Sequence, residues 1–331
     1  MLIRRIGVEG MAGLAPTRLD QLGRVVRISG PPRARQALLD ALRLALGAWS
    51  QEGCHQAFAA LGCPVELEGS GLPGEIHLLR PELIAPLLDP EGDRTLRIDL
   101  ELELDPPQFG RLRDQAVRHP ELVDALSGGA RLSLGLGWVF TQDHSVAAFT
   151  VHRPRLGELD LDLNGGWLPA FLTGLAGRGV VADGELDLES LAAADRSGDP
   201  ERRRALSALR AALLKPPLSL GALRLVEAGD QRWLALGDDL VPLRALGNGA
   251  EAELALAAAV FLDPAEILVA DRPGVGSDRP RALRSWLARQ AEDQGSPLEQ
   301  LWMLGVGDDH RLQARGTAPS ASLRFPVRHL L

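Results

Sequence analysis

The chain has 331 residues, 45% hydrophobic and 24% charged, the balance of a globular protein with ample core volume and not of a disordered one. Its formal net charge of −8 argues against a generally basic nucleic-acid binder. No uncharged apolar run approaches the roughly 18 residues that a membrane helix needs. Ile3–Val8 and Arg24–Ile28 read as short strands, and Gly30-Pro31-Pro32 as the turn that follows. Leu38, Leu39, Leu42 and Leu46 then recur at helical spacing, so the opening reads strand, strand, glycine turn, helix. Leu96 to Leu104, Leu132 to Phe140 and Leu159 to Leu163 alternate apolar with polar or small residues, which predicts three strands of an antiparallel layer. Leu186 to Leu214 is helical, interrupted at Asp199-Pro200 and stopped by Pro216-Pro217. Leu223–Val226 and Arg232–Leu236 form a hairpin pattern. Glu251–Leu262 predicts a helix, Ile267–Ala270 a buried strand, Arg281–Gln290 a helix and Leu301–Leu304 another buried strand.

Several residue counts limit the chemistry. Lys215 is the only lysine among 36 basic side chains, so arginine supplies the rest and no mechanism can use a catalytic lysine elsewhere. Cys54 and Cys63 are the only cysteines, which implies no disulfide framework. With no apolar signal segment at the N-terminus, the expected location is the cytoplasm. Cys54, His55 and Cys63 match no standard zinc spacing and read as a small buried cysteine pair. Arg202-Arg203-Arg204 and the arginines of 279–289 read as solvated helix faces, with phosphate or DNA contacts as the alternative. Leu126-Ser127-Gly128-Gly129 precedes an alternating strand and reads as a turn. The remaining histidines are scattered, with no Ser/His/Asp pattern of a hydrolase.

Three segments, in order, resemble the head domain of ABC-type ATPases of the RecF and SMC kind. Arg27 to Leu42 (RISGPPRARQALLDAL) resembles that family's strand, phosphate loop and helix. Leu246-Gly247-Asn248-Gly249-Ala250-Glu251 is similar to its signature segment, and Ile267 to Pro273 to a Walker B strand, with Gly276-Ser277-Asp278 at the D-loop position. The resemblance implies an α/β fold of the P-loop NTPase, ABC-head type, with an antiparallel β-subdomain and a helical lobe. The expected divisions are 1–165 for the lobe with the phosphate loop and β layer, 166–245 for the helical lobe and hairpin, and 246–331 for the part completing the core.

The departures fall on the chemistry. A working loop surrounds phosphates with glycine amides and adds Lys and Ser/Thr for the terminal phosphate and Mg²⁺. Here the lysine position holds Arg35 and the hydroxyl position Gln36; the loop is one residue short, Ala34 replaces its last glycine, and Pro32 removes a donor. Asp271 stands where a Mg²⁺ partner would, but Arg272 replaces the catalytic glutamate and cannot act as a general base. Gly247 lacks the signature hydroxyl, and His310 falls too late to be the switch histidine. The expected site residues are therefore Gly30, Arg33, Arg35 and Gln36 in a degenerate phosphate loop, and Gly247 and Gly249 in a degenerate signature. Asp271 would be a metal ligand only if Mg-nucleotide binds. The resemblance implies a non-catalytic subunit in a hetero-oligomer, needing no cofactor and binding ATP/Mg²⁺ weakly at most. It would reach DNA only through a complex, in repair, chromosome handling or phage defence. The alternatives are a nucleotide-binding or weakly active ATPase using Arg35 and Asp271, and an unrelated α/β binding module.

Overall fold

The computed structural model describes residues 1–67, 71–90, 92–119, 121–127, 131–163, 167–175, 179–182, 188–228, 231–236, 239–241, 248–262, 266–273, 279–293, 296, 298–305 and 313–316. Two compact units divide the chain: Met1–Gly179 with Gly307–Leu331, and Val180–Val306.

The first unit opens with β1 (Leu2–Glu9), β2 (Thr17–Leu19) and β3 (Val25–Ser29), followed by α1 (Pro32–Gly47) and α2 (Gln51–Ala60). After these come β4 (Val65–Leu67), β5 (Glu75–Leu78), α3 (Pro81–Ile84) and the long β6 (Thr95–Glu103). The helices α4 (Pro106–Ala116) and α5 (Glu121–Ser127) lead to β7 (Arg131–Phe140), β8 (Val146–Leu156), the short β9 (Leu159–Asp160) and α6 (Trp167–Thr173). Most of these strands form one antiparallel sheet in the order β2-β1-β6-β7-β8-β5-β4, with β9 extending from β8. Its alternation follows from the period of two in a strand. Leu96, Ile98, Leu100 and Leu102 of β6 and Leu132, Leu134, Leu136 and Trp138 of β7 are buried, while Arg97, Asp99, Glu101 and Ser133 face outward. Trp138 meets Phe149 of β8 with ring centroids 5.2 Å apart. Helix α1 buries Leu38, Leu39, Leu42 and Leu46, the predicted apolar face, but starts six residues before the first of those leucines.

The second unit contains α7 (Leu188–Arg196) and α8 (Pro200–Leu213), which follow β10 (Gly179–Ala182) at the unit boundary. Asp199 caps α8 by accepting from the Glu201 amide, so the predicted interruption at Asp199-Pro200 is a helix start. β11 (Leu223–Ala228), β12 (Gln231–Leu236) and β13 (Asp239–Val241) form an antiparallel meander that contains the predicted hairpin. Then come α9 (Asn248–Phe261), β14 (Ile267–Asp271), α10 (Pro280–Glu292) and β15 (Gln300–Leu304), with β14 and β15 parallel. Finally β16 (Gln313–Gly316), assigned to the first unit, runs antiparallel to β3.

The mixed α/β class with an antiparallel layer is as the sequence implies. One strand differs. The Leu159–Leu163 pattern yields only the two-residue β9, and the long partner of β7 is β8. Between Ser133↔Arg155 and Gly135↔His152, two residues of β8 oppose one of β7, a β-bulge that breaks the alternation and hides the strand from a period-two reading.

Candidate functional site

The β3–α1 junction is where the phosphate-loop resemblance falls. Val25, Val26 and Ile28 of β3 are fully buried, so the strand delivers Ser29 and Gly30 to a fixed point. Gly30 has φ +149°, a backbone region open mainly to glycine, and Pro31 then leads into α1 at Pro32. Only two residues separate strand from helix. A phosphate cradle needs a run of successive N–H groups, and two of the three residues following Ser29 are prolines, which have none. The Arg35 amide donates to Pro31 O at 3.0 Å, closing the first helical turn. The Arg35 side chain folds back as well, its Nε donating to Gly30 O at 3.0 Å. Gln36 Nε2 and Arg43 Nη1 both donate to Asp40 Oδ1 at 2.9 Å, and Asp40 is only 3% exposed. Arg33 is exposed on the first turn of α1, beside the backbone of Gly13. A helix N-terminus favours anions, but this turn lacks the amide ring and hydroxyl that Mg-nucleotide requires. The residues present do not fit that group.

Asp271 closes β14, whose residues Ile267, Leu268, Val269 and Ala270 are fully buried. The chain then turns sharply. Arg272 has φ +42°, a left-handed conformation uncommon for a side chain of this size, and its amide donates to Leu304 O of β15 at 2.8 Å. Arg272 Nε donates to Asp271 Oδ2 at 3.0 Å, with side-chain exposures of 60% and 25%. Arg272 thus pairs with the carboxylate that the sequence resemblance would make a metal ligand. This pairing was legible as adjacent opposite charges after a buried strand.

Asn248 and Gly249 open α9, three residues earlier than the predicted helix start at Glu251, so Gly249 is a first-turn helical residue. Gly247, the segment Gly276–Asp278 and His310 lie outside the described residues.

Cys54 and Cys63 are free and buried. Burial pushes the Cys54 thiol up to about 12 and also raises that of Cys63, whose Sγ donates to Arg80 O at 3.2 Å. Among the described residues, no group of metal-ligating side chains includes either.

The sequence motifs give no sign of a concavity of about 570 Å³ on the outward face of the large sheet, with six arginines in its lining. Its available signal was the row Ser133, Gly135 and Gly137, which leaves β7 almost bare on that side.

Among the described residues, no helix is long and apolar enough to cross a membrane. No protein-family model and no curated protein matches the sequence. Solved structures similar to the chain include the SMC head domain from Thermotoga maritima, 12% identical with a TM-score of 0.38, covering 92% of this chain and 89% of that one. Two structures of the recombination mediator protein RecF in the RecFOR pathway are also similar. The ATP form is 9% identical with a TM-score of 0.39 and covers 92% of this chain and 93% of that one. The ATPrS form is 9% identical with a TM-score of 0.45 and covers 93% of each chain.

Proposed function

We propose that this chain is a non-catalytic, ATPase-like subunit that serves as a structural or regulatory partner in a multiprotein complex. The observation that carries the reading is the two-residue β3–α1 turn, in which Arg35, at the lysine position, is bonded to the turn's own Gly30 carbonyl. A side chain that must reach a terminal phosphate is here part of the turn's internal bonding. The Arg272–Asp271 pair adds the same character at the other motif. Removing one well-placed electrostatic group commonly costs a factor of roughly 10²–10³ in rate, so the combined departures leave no measurable hydrolysis. What remains is a buried apolar scaffold with arginine-rich surfaces, a composition suited to protein interfaces. DNA repair, chromosome handling and phage defence are the settings that the resemblance implies, with DNA reached through the partner.

Titration calorimetry with ATP and Mg²⁺ tests the nucleotide half of the reading. The expected outcome is no saturable Mg²⁺-dependent binding, and tight Mg²⁺-dependent binding would overturn it. Co-purification from the native host tests the other half: a stoichiometric protein partner is expected, and a strictly monomeric chain contradicts the reading.

A further inference from the structure

We infer that the arginine-lined groove on the outward face of the large sheet docks an acidic, extended segment of a protein partner. The groove crosses β2, β1, β6, β7 and β8, neighbouring strands of one sheet within the first unit. Adjacent strands lie about 4.8 Å apart, so it is roughly 19 Å wide from β2 to β8. Its floor includes Gly135 of β7, and Gly137, two residues on along the same face of the strand, likewise carries no side chain. A Cβ at Gly135 would stand 2.8 Å from Asp99 Oδ1, and one at Gly137 2.6 Å from His152 Nε2, so these neighbours lie flat across the strand. Glycine within a strand weakens it and often marks a place of close approach. Arg5, Arg18, Arg97, Arg153 and Arg155 come from β1, β2, β6 and β8, and Arg131 from β7 itself.

Arg153 is aimed by the bulge in β8. Strict alternation would turn it inward after the exposed His152; the extra residue leaves both exposed and sends Pro154 into the core. Its φ of +45° is a strained value for a non-glycine residue. Arg153 has no carboxylate partner among the described residues. The other arginines are partly engaged: Arg5 and Arg131 share Glu101 at 3.2 and 3.3 Å, Arg97 holds Asp99 at 3.0 Å, Arg155 holds Asp160 at 2.8 Å and Arg18 holds Asp20 at 2.9 Å. The pairs exposed on both sides, Arg18–Asp20, Arg97–Asp99 and Arg155–Asp160, are weak and exchange readily with an incoming carboxylate.

The lining selects among anions. Six guanidinium groups face Asp99, Glu101 and Glu158 in the lining, with Asp20 and Asp160 paired to Arg18 and Arg155 beside it, so the groove keeps a small positive excess within a chain of net charge −8. A continuous polyanion such as duplex DNA would meet those carboxylates and the unfavourable field of the whole chain. Among the described residues no Phe or Trp lines the groove, so a single strand finds no stacking platform there. An extended peptide fits better. It presents every second side chain on one face at about 6.6 Å intervals, so its acids can meet arginines while its gaps pass over the groove's own acids.

The inference rests on the reading of the chain as a partner-binding subunit, but peptide binding and ATP hydrolysis are measured separately, so each can fail alone. The test is fluorescence anisotropy with three labelled probes: a peptide of alternating glutamate and glycine, its lysine counterpart, and a short DNA duplex. At low salt the glutamate peptide is expected to bind, the lysine peptide not to bind, and the duplex to bind more weakly than the glutamate peptide. Binding should fall as salt rises through physiological strength. Arg131→Glu and Arg153→Glu should each weaken peptide binding about tenfold, and Arg97→Glu, on an exposed strand position, guards against a folding defect at the bulge. Arg202→Glu, in the second unit, should leave binding unchanged. The inference is overturned if the glutamate peptide does not bind, if the groove variants bind it as well as the parent chain does, or if the duplex binds more tightly.

Discussion

The β3–α1 turn and the outward face of the large sheet both present arginine, and they use it in opposite ways. In the turn, Arg35 is bonded to a backbone carbonyl five residues earlier, and the nearby Gln36 and Arg43 are committed to the buried Asp40. On the sheet, Arg153 is exposed and Arg97 holds the half-exposed Asp99. The difference lies in what surrounds the side chain. Where a short turn leaves unpaired carbonyls beside a core, arginine becomes structural; where small residues hollow out a sheet, it stays available. Ligand affinity in the first unit is therefore expected on the sheet and not at the turn.

The largest contrast should appear in stability. Asp40→Ala removes the acceptor for both Gln36 and Arg43 in a buried setting, and breaking such a pair is expected to cost about 3 kcal/mol. Asp99→Ala, on the groove floor, should change stability by less than about 0.5 kcal/mol. Urea unfolding of the two variants measures this directly, and equal losses would erase the distinction drawn between the regions.

A smaller effect is expected at the turn itself. Arg35→Ala loses a partly buried bond to Gly30 O and should destabilise by about 1 kcal/mol, without altering any response to ATP. A variant that unfolds at the parent's urea midpoint but changes nucleotide binding would make Arg35 a ligand residue.

Thiol chemistry separates buried from available groups in the same unit. With its pKa pushed up to about 12 by burial, Cys54 is almost wholly protonated at pH 8 and should resist alkylation until the protein unfolds. Mass spectrometry of iodoacetamide-treated native protein checks this; rapid native labelling of Cys54 would contradict its burial.

The smallest expected effect is at Asp143, in the β7–β8 turn. Its carboxylate accepts from the Thr141 hydroxyl, the Ser145 amide and the Ser145 hydroxyl, and these bonds hold its pKa down to about 2. Because the folded value lies below the ordinary one near 3.9, its contribution is complete above that value and is lost as pH falls towards 2. NMR titration should show Asp143 ionised at pH 3, and a midpoint near 4 would remove the turn's acid sensitivity.

The apolar scaffold was legible in the sequence because burial imposes a period. The leucines of α1, β6 and β7 and the buried run of β14 announce their elements directly. β8 was not, because its bulge shifts the period at Arg153. Residue type marks where the resemblance falls but not how the side chains there are bonded. Nothing in the order Gly30-Pro31-Pro32-Arg33-Ala34-Arg35 says that Arg35 returns to Gly30 O, since that depends on the strand and helix being two residues apart. The groove was hidden for a different reason: it is assembled from arginines far apart in sequence and made neighbours only by strand pairing.

Non-catalysis is tested most directly by phosphate release from ATP, with purified chain and Mg²⁺ at neutral pH, alongside Asp271→Ala. The expected result is release at the buffer rate in both proteins, because Arg272 already holds Asp271 and Arg35 is tied to its own turn. Turnover by the parent chain that disappears in Asp271→Ala would contradict it.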